Sequence, residues 1–152
     1  MSKTPTQFTT FTLERVYPAP ASRVFAAWSE IEAKSRWFAG EDEWTIRERA
    51  MQFRPGGRER VVGRWPNGRE SAFDGVYFDI VTDERIVYAY EMHVDGARIS
   101  VSLATVELEP AGAGTRLRFT EQAAFVNGYD DAGSREQGTN HLLDKLGKSL
   151  GS

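Results

Sequence analysis

The stretch that decides the fold is TRLRFTEQAAF, residues 115–125, followed after a polar loop by SREQGTNHLLDKLGKSL, residues 134–150. In the first segment Leu117, Phe119 and Glu121 alternate with polar residues, and this period of two predicts a β-strand. The second segment carries an apolar stripe at helical spacing, which predicts an amphipathic helix: Leu142, Leu143, Leu146 and Leu150. The chain therefore ends in a strand and then a long helix that needs an apolar surface beneath it.

The start of this helix carries its own signal. Ser134 is followed three residues later by Gln137, the spacing of a capping box in which two side chains satisfy free backbone N–H groups. Residues 126–133 are polar and contain Gly and Asp, so we expect a loop before Ser134. The helix is thus predicted to run from Ser134 to about Leu150.

Five further strands precede this pair of elements. They are predicted from runs of β-forming residues bounded by turn signals: 44–53, 58–65, 71–81, 85–93 and 98–109. Asn67-Gly68 and Asp95-Gly96 are typical of hairpin turns, because these residues accept positive φ angles. The short connections indicate antiparallel pairing. Adjacent apolar residues in 71–81 indicate a bulge, which leaves the faces of Phe73, Tyr77 and Phe78 undecided.

The N-terminal part contains one strand and two helical segments. Residues 8–17 are predicted to form a strand with Phe11, Leu13 and Val16 as its apolar positions, ended by the prolines that follow. Short helices are predicted over 22–28 and 31–38. This element order predicts the α+β class, with a sheet of about seven strands covered by the terminal helix. We expect one domain over 8–152, preceded by a flexible segment, 1–7.

Composition argues against several classes of protein. The net charge is −3, from 19 basic and 22 acidic residues, so a nucleic-acid partner is not expected. There is no cysteine, which excludes disulfides, thiol nucleophiles and thiolate metal sites. No apolar run reaches the roughly 20 residues of a membrane span, and residues 1–12 lack the pattern of a signal peptide. We therefore expect a cytoplasmic protein that does not insert into a membrane.

Motifs for catalysis, metals and cofactors are weak. His93 and His141 are the only histidines and lie on different predicted elements, so no metal site is expected. No Gly-x-Ser-x-Gly motif occurs, and the glycine pairs lie between strands, so no phosphate or cofactor site is expected. Glu59 and Glu121 could act as acid and base if they are buried together, with Glu121 as the candidate catalytic residue. The alternative, which we favour, is that either carboxylate pairs with an arginine or reaches solvent.

Five local patterns occur in the order typical of one protein superfamily: PASRVFAAW (20–28) followed by Trp37-Phe38; RPGG (54–57); Gly75 before the strand at 76–80, then ERIVY (84–88); GTRL (114–117); and Gly138 with LLDKL (142–146). Over residues 8–150 the chain resembles the helix-grip superfamily related to START domains and Bet v allergens. Within it, the chain is most similar to bacterial relatives of the activator of the ninety-kilodalton heat-shock protein ATPase. The resemblance implies the helix-grip fold, in which a curved antiparallel sheet holds a C-terminal helix around a cavity. It implies no particular reaction, because one fold supports many functions.

Three positions depart from the pattern of these relatives. Thr139 follows the helix glycine where many relatives carry Trp, and the smaller side chain would leave a larger cavity. Glu121 stands where many relatives carry His near the end of the last strand. Glu59 occupies a strand position that the resemblance predicts to be apolar. If both carboxylates point inward, the cavity has acidic features that are unusual for a lipid carrier.

Three functions remain open, and the first is favoured. It is binding, without a cofactor, of a hydrophobic or amphipathic small molecule, and the candidate ligand-binding residues are Trp28, Trp37, Phe38, Phe53, Glu59, Tyr88, Tyr90, Phe119, Glu121, Thr139, Leu142 and Leu146. The second is a cyclase or hydrolase that uses Glu121 with Glu59 and Tyr90. The third rests on the resemblance alone and is a co-chaperone that stimulates a heat-shock ATPase. Formation of a homodimer, through exposed strand edges or the N-terminal segment, also remains open.

Overall fold

The computed structural model describes residues 5–39, 43–129 and 132–151. Its elements follow in the order β1 (Gln7–Tyr17), α1 (Ala21–Ser29), α2 (Ile31–Ser35), β2 (Thr45–Met51), β3 (Arg58–Arg64), β4 (Glu70–Val81), β5 (Arg85–Val94), β6 (Ala97–Ala111), β7 (Gly114–Phe125) and α3 (Ala132–Leu150). All strand pairs are antiparallel, and the sheet order is β1-β7-β6-β5-β4-β3-β2. The predicted α+β class and helix-grip architecture, with a curved seven-stranded sheet, are confirmed.

The two short helices connect opposite edges of the sheet. β1 pairs with β7 at one edge and β2 pairs with β3 at the other, so the chain between them must cross the sheet. α1 makes this crossing against β6, β7 and α3. Its spacing of apolar residues explains why, because Val24, Phe25 and Trp28 share one helical face and all three are buried.

β1 presents an inner face to the core and an outer face to solvent. Phe11 and Tyr17 are buried and Leu13 packs against the core, whereas Val16 is 58% exposed. Val16, also an apolar position of the predicted strand, lies on the solvent face, because side chains alternate along a strand and Val16 is an odd number of positions from Phe11 and Leu13. Tyr17 takes the inward position, and its hydroxyl donates a hydrogen bond of 2.7 Å to the carbonyl oxygen of Leu143.

The bulge expected in β4 lies at Phe78. The pairing with β5 shifts register between Tyr77 and Asp79, so Phe78 is the additional residue, and its side chain is 60% exposed. Phe73 and Tyr77 are buried on the inner face. Beyond the bulge the alternation changes phase, so that Ile80 rather than Asp79 packs against the core. The bulge therefore allows two adjacent apolar residues, Tyr77 and Phe78, to occur in a strand that has one buried face and one solvent-exposed face.

The two predicted hairpin turns differ in the backbone conformation of the residue that precedes the glycine. Asp95 and Gly96 both have positive φ, 50° and 83°, as a two-residue type I′ turn requires. At the other predicted hairpin only Gly68 has a positive φ, 90°. Asn67 keeps an ordinary backbone conformation and instead accepts a hydrogen bond of 3.0 Å from the Arg69 N–H through its side-chain oxygen.

α3 begins earlier than predicted. Ser134 lies two residues inside the helix, which starts at Ala132, so the proposed capping box of Ser134 and Gln137 is wrong. Both side chains are exposed. The apolar stripe is confirmed, because Leu143, Leu146 and Leu150 are buried and Leu142 packs against the core. The helix thus covers the inner face of the sheet.

The outer face of the sheet carries charged side chains, several of which form ion pairs. Arg47 and Arg64 each lie 2.6 Å from the carboxylate of Glu70, and Arg60 lies 2.6 Å from Asp74. Four of the basic residues between positions 47 and 69, Arg47, Arg60, Arg64 and Arg69, thus have acidic partners, as is typical of a solvated sheet face. Across the described ranges, no helix has the length and apolar character that crossing a bilayer requires.

Candidate functional site

A cavity of about 280 Å³ lies between the inner face of the sheet and α3. The sheet, the α1–β2 region and α3 each contribute to its wall, and most of the wall is aromatic or aliphatic. The lining residues are Trp28, Trp37, Phe38, Ala39, Trp44, Val61, Ser71, Phe73, Tyr88, Tyr90, Met92, Phe119, Glu121, Ser134, Arg135, Gly138, Thr139, His141, Leu142 and Leu143.

Most of the residues predicted from sequence to bind a ligand are brought together on this wall. They come from every part of the fold that faces the cavity: Trp28, Trp37, Phe38, Tyr88, Tyr90, Phe119, Glu121, Thr139 and Leu142. Phe53, Glu59 and Leu146 are not on the wall. Phe53 packs edge-on against Phe25 and Tyr77, with ring centroids 5.7 and 4.9 Å apart. Leu146 is fully buried in the core beside α1 and β1.

Glu59 is buried, as its inward position suggested, but it belongs to a separate polar cluster. Its Oε1 atom accepts a hydrogen bond of 2.7 Å from the Lys34 ammonium and another from the Tyr77 hydroxyl. Lys34 and Glu59 are only 1% and 3% exposed. A buried carboxylate requires such a partner, because an unpaired charge in an apolar interior is strongly unfavourable. The carboxylate of Glu59 therefore links β3 to α2 through its ion pair with Lys34.

The Lys34 ammonium also lies among aromatic rings that form the back of the cavity wall. Its Nζ atom is 4.6 Å from the ring centroid of Phe38, 5.6 Å from that of Trp28 and 5.7 Å from that of Tyr88. Burial lowers the pKa of Lys34 from its usual value, and the charge of Glu59 opposes this shift. The sequence analysis missed Lys34. The available signal was Glu59 itself, since a carboxylate at a position expected to be apolar implies a cation opposite it.

Glu121 forms the polar end of the cavity. Its Oε2 atom accepts hydrogen bonds of 2.7 Å from the hydroxyls of Tyr90 and Ser102 and of 3.1 Å from the Arg135 guanidinium. Arg135 also donates to Ser100 at 2.7 Å, so α3 is tied to β6 as well as to β7. Burial and the neighbouring carboxylate raise the pKa of Tyr90 above its usual value, which keeps its hydroxyl protonated as a donor.

Arg135 and the two serines were not identified from the sequence. The inward alternation of β6, which runs through Ser100, Ser102 and then Ala104, was the signal for the serines, because small polar residues continue a buried apolar face there. Arg135 had no comparable signal, since an arginine in the first turns of a helix is usually solvated. Only the tertiary placement of α3 above Glu121 gives it this role.

The hypothesis that Glu59 and Glu121 act as a carboxylate pair is not supported by these contacts. Each carboxylate has its own cation, Lys34 for Glu59 and Arg135 for Glu121. The favoured alternative is confirmed for Glu121, whose partner is an arginine. For metals, the described part of the chain contains no group of three or more His, Cys, Asp or Glu residues that could hold an ion. His93 lies 3.7 Å from both Asp74 and Glu91 on the outer face, away from His141 on the cavity wall.

The mouth of the cavity lies along α3. The lining residues on the sheet are buried or partly buried, whereas Ser134, Gly138 and His141 on α3 are exposed. A Cβ atom added at Gly138 would have no heavy atom of the described residues within 4 Å. Thr139, next to it, is buried and its hydroxyl donates to the carbonyl oxygen of Arg135 at 2.9 Å. The exposed lining residues therefore place the opening of the cavity to solvent beside this turn of α3.

The matches to known proteins agree with this architecture. The profile of the family described as "Activator of Hsp90 ATPase homolog 1-like protein" matches residues 18–151. Among solved structures, an uncharacterized protein of Rhizobium leguminosarum is 46% identical over 96% of both chains, with a TM-score of 0.92. A protein of Rhizobium loti is 41% identical over 96% of this chain and 99% of its own, with a TM-score of 0.89.

More distant matches share the fold alone. A protein of unknown function from Staphylococcus aureus is 18% identical over 95% of this chain and 94% of its own, with a TM-score of 0.78. Proteins of curated function give no match. Because the family profile spans most of the sequence, the chain belongs to the activator of Hsp90 ATPase homolog 1-like family.

Proposed function

We propose that this protein binds a small hydrophobic or amphipathic molecule in the cavity between the sheet and α3. The observation that carries the proposal is a cavity of about 280 Å³ that combines an aromatic wall with one buried polar end at Glu121. Ligand sites in proteins commonly have this composition, with apolar walls that supply affinity and a few polar groups that fix orientation.

The volume is sufficient for a ligand. An apolar cavity of about 150 Å³ holds a benzene molecule, so the 280 Å³ seen here suits a molecule of about two fused rings or a similar number of carbon atoms. The value lies close to the lower end of the range of roughly 300–1,000 Å³ that is usual for ligand pockets. A long-chain lipid would need the cavity to enlarge.

The family assignment supports the same function. Proteins of this family commonly bind hydrophobic ligands. The departures from the family pattern at Thr139 and Glu121 both lie on the cavity wall. Thr139 leaves the space that an indole would fill, and Glu121 supplies a buried charge where relatives are expected to have His. These two positions therefore change the size and the polarity of the cavity without changing the fold.

The geometry favours binding over the other two functions. Glu121 is held by Tyr90, Ser102 and Arg135, and the second carboxylate that an acid–base mechanism would use is buried in another cluster. A role as a co-chaperone is supported by the family description alone, and no contact in the cavity bears on it. Binding is the function for which a physical site is present.

Native mass spectrometry of the protein purified from its own host tests the proposal. We expect a fraction of the molecules to carry an added mass of a small organic compound, and mild denaturation should release it. A matched preparation of Gly138→Trp protein, in which the new side chain would occupy the cavity mouth, should lack that mass. Only unmodified protein in the wild-type sample, together with no binding of neutral two-ring compounds, would rule the proposal out.

A further inference from the structure

One oxygen of Glu121 has no hydrogen-bond partner among the described residues. Its Oε2 atom accepts one hydrogen bond each from Tyr90, Ser102 and Arg135. Its Oε1 atom is buried and accepts none from the described residues, although the side chain is fully buried at the cavity wall. A buried polar atom without a hydrogen bond is unfavourable and rare in native proteins, so it requires an explanation.

The buried wall atoms that lack a hydrogen-bond partner among the described residues include both donors and an acceptor. Besides Glu121 Oε1, the buried side-chain atoms without a partner on described lining residues are the indole nitrogens of Trp28 and Trp44. An indole N–H can only donate, so Oε1 is the one acceptor among them. The position is therefore specific for a ligand group that donates a hydrogen bond.

The charge balance at this end of the cavity favours a neutral donor over a cation. Arg135 is 11% exposed and lies 3.1 Å from Glu121, so the carboxylate already has its compensating charge. An added ammonium group would be a second buried cation beside Arg135 without a second anion to balance it. An anionic ligand would face the carboxylate directly. A hydroxyl or an amide-type N–H satisfies Oε1 without changing the net charge.

The aromatic side chains on the rest of the wall indicate the shape and chemical class of the ligand. Phe73 stacks on Tyr90 with ring centroids 4.7 Å apart, so two aromatic rings lie next to the polar end. Trp28 and Phe119, also on the wall, stack with ring centroids 6.2 Å apart. Aromatic side chains on the wall favour an aromatic, and therefore planar, ligand, which can pack against them in offset or edge-on geometry.

We infer that the ligand is a neutral, planar aromatic molecule that donates one hydroxyl or N–H hydrogen bond to Glu121 Oε1. This inference rests on the proposed binding function and specifies its ligand class. Glu121 then selects the ligand by polarity, while Tyr90, Ser102 and Arg135 hold the carboxylate in one orientation. Ligands without a donor would leave Oε1 desolvated and unpartnered, and they should bind more weakly.

A matched set of probes tests this selectivity. 2-Naphthol, 2-methoxynaphthalene and naphthalene share one ring system, but only 2-naphthol donates a hydrogen bond. In isothermal titration calorimetry we expect wild-type protein to bind 2-naphthol at least about tenfold more tightly than the other two compounds, because a hydrogen bond to a charged acceptor is worth about that factor or more.

Replacing Glu121 by Gln should reverse the preference. The amide oxygen would take over the three hydrogen bonds now made by Oε2, and the amide nitrogen would then stand at the position of Oε1 as a donor. Glu121→Gln protein should therefore prefer 2-methoxynaphthalene, whose oxygen accepts, to 2-naphthol. Glu91→Gln on the outer face makes the same chemical change away from the cavity and should keep the wild-type order.

The outcomes separate the two proposals. Equal affinities of wild-type protein for all three probes would overturn the selection by Glu121 and leave the binding function in place. No binding of any probe would overturn the inferred ligand class, and only together with unmodified wild-type protein in native mass spectrometry would it overturn the binding function as well. If Glu121→Gln protein does not fold, the comparison of 2-naphthol with 2-methoxynaphthalene on wild-type protein still decides the inference by itself.

Discussion

At the scale of single residues, two buried carboxylates have different roles because different cations reach them. Glu59 pairs with Lys34 behind the cavity wall, and Glu121 pairs with Arg135 on the wall. The Lys34 pair is closed, with both groups almost fully buried and Tyr77 completing it. At Glu121, one carboxylate oxygen has no hydrogen-bond partner within the part of the chain that the structure describes. The Lys34–Glu59 pair can therefore only stabilise the structure, whereas the unpartnered oxygen of Glu121 is available to bind a ligand.

Replacing Lys34 by Met should strongly destabilise the protein. The change would leave Glu59 buried without its cation, and breaking a buried pair in this way costs about 3–5 kcal/mol. The double variant Lys34→Met/Glu59→Leu should recover most of this loss, because it removes both charges. Urea denaturation gives the free energies of unfolding.

Arg85→Met serves as the control for that experiment. Arg85 pairs with Asp79 at 2.6 Å on the surface, where both side chains are almost half exposed. Exposed pairs contribute about 0–1 kcal/mol, so this variant should differ little from wild type. Equal losses in Lys34→Met and Arg85→Met would contradict a stabilising role for the buried pair.

The tyrosines predict a loss of stability at high pH. Burial raises the pKa of Tyr17, Tyr77, Tyr88 and Tyr90 above the usual 10.0. Above pH 10 the unfolded chain therefore loses protons that the folded chain retains, and the free energy of unfolding falls as the pH rises. The lowered pKa of Lys34 acts in the opposite sense, but its contribution levels off as the pH rises through and beyond 10.5, where the lysine of the unfolded chain also loses its proton.

Urea titrations between pH 9 and pH 12 measure this effect. Tyr88→Phe should reduce the slope of unfolding free energy against pH above pH 10.5, because one group with a raised pKa is removed. Tyr129→Phe is the matched control, since Tyr129 is partly exposed outside the core, and its slope should equal that of wild type. A slope that is identical in all three proteins would argue against the buried hydroxyl of Tyr88 as a cause.

At the scale of elements, α3 has two functions at different points along its length. Toward its C-terminal end Leu146 and Leu150 cover the core, and Gly147 allows the close approach of Tyr17, whose ring would lie 3.0 Å from an added Cβ atom. The turns that carry Gly138, Thr139 and Leu143 border the cavity instead. The same helix thus closes one end of the interior and leaves an opening at the other.

A bulky side chain at Gly138 should block the cavity without damaging the helix. Gly138→Trp places an indole where an added Cβ atom meets no neighbour within 4 Å. The variant should lose at least about tenfold in affinity for 2-naphthol, while its helix is unaffected or slightly favoured over glycine. Gly133→Trp is the matched control, because Gly133 is an exposed glycine of α3 that does not line the cavity. Similar affinities of both variants would place the mouth elsewhere.

At the scale of the whole molecule, ligand binding should increase the stability of the fold. The cavity forms only where the sheet and α3 come together, so the unfolded chain has no site, and a ligand stabilises the folded state alone. With 2-naphthol at about 100 times its dissociation constant the gain is about 2.7 kcal/mol. For a domain of this size, that gain raises the melting temperature by roughly 5–10 °C.

Differential scanning fluorimetry over a series of 2-naphthol concentrations measures this shift. The melting temperature should rise with the logarithm of ligand concentration in wild-type and Gly133→Trp protein, and it should stay constant in Gly138→Trp protein. A shift of equal size in Gly138→Trp protein would mean that the compound binds outside the cavity.

The sequence by itself determined the order of the elements, the antiparallel pairing of successive strands from β2 to β7 and nine of the residues on the cavity wall. Alternation along β4 to β7 and the leucine stripe of α3 depend on local periodicity, which is a property of the chain alone. The exceptions are instructive. Val16 was named only as an apolar position of β1, and the alternation along the strand places it on the solvent face. Ser134 matched a capping pattern, but the helix had already begun two residues earlier.

The tertiary structure decided which charges meet. Lys34 is 25 positions from Glu59, and Arg135 is 14 positions from Glu121 across a loop, so neither pair has a local pattern. It also decided that Phe53 and Leu146 pack in the core rather than on the cavity wall. Periodicity assigns a side chain to a face, whereas its neighbours on that face depend on how the sheet curves and where α3 crosses it. The cavity and its polar end are properties of that crossing.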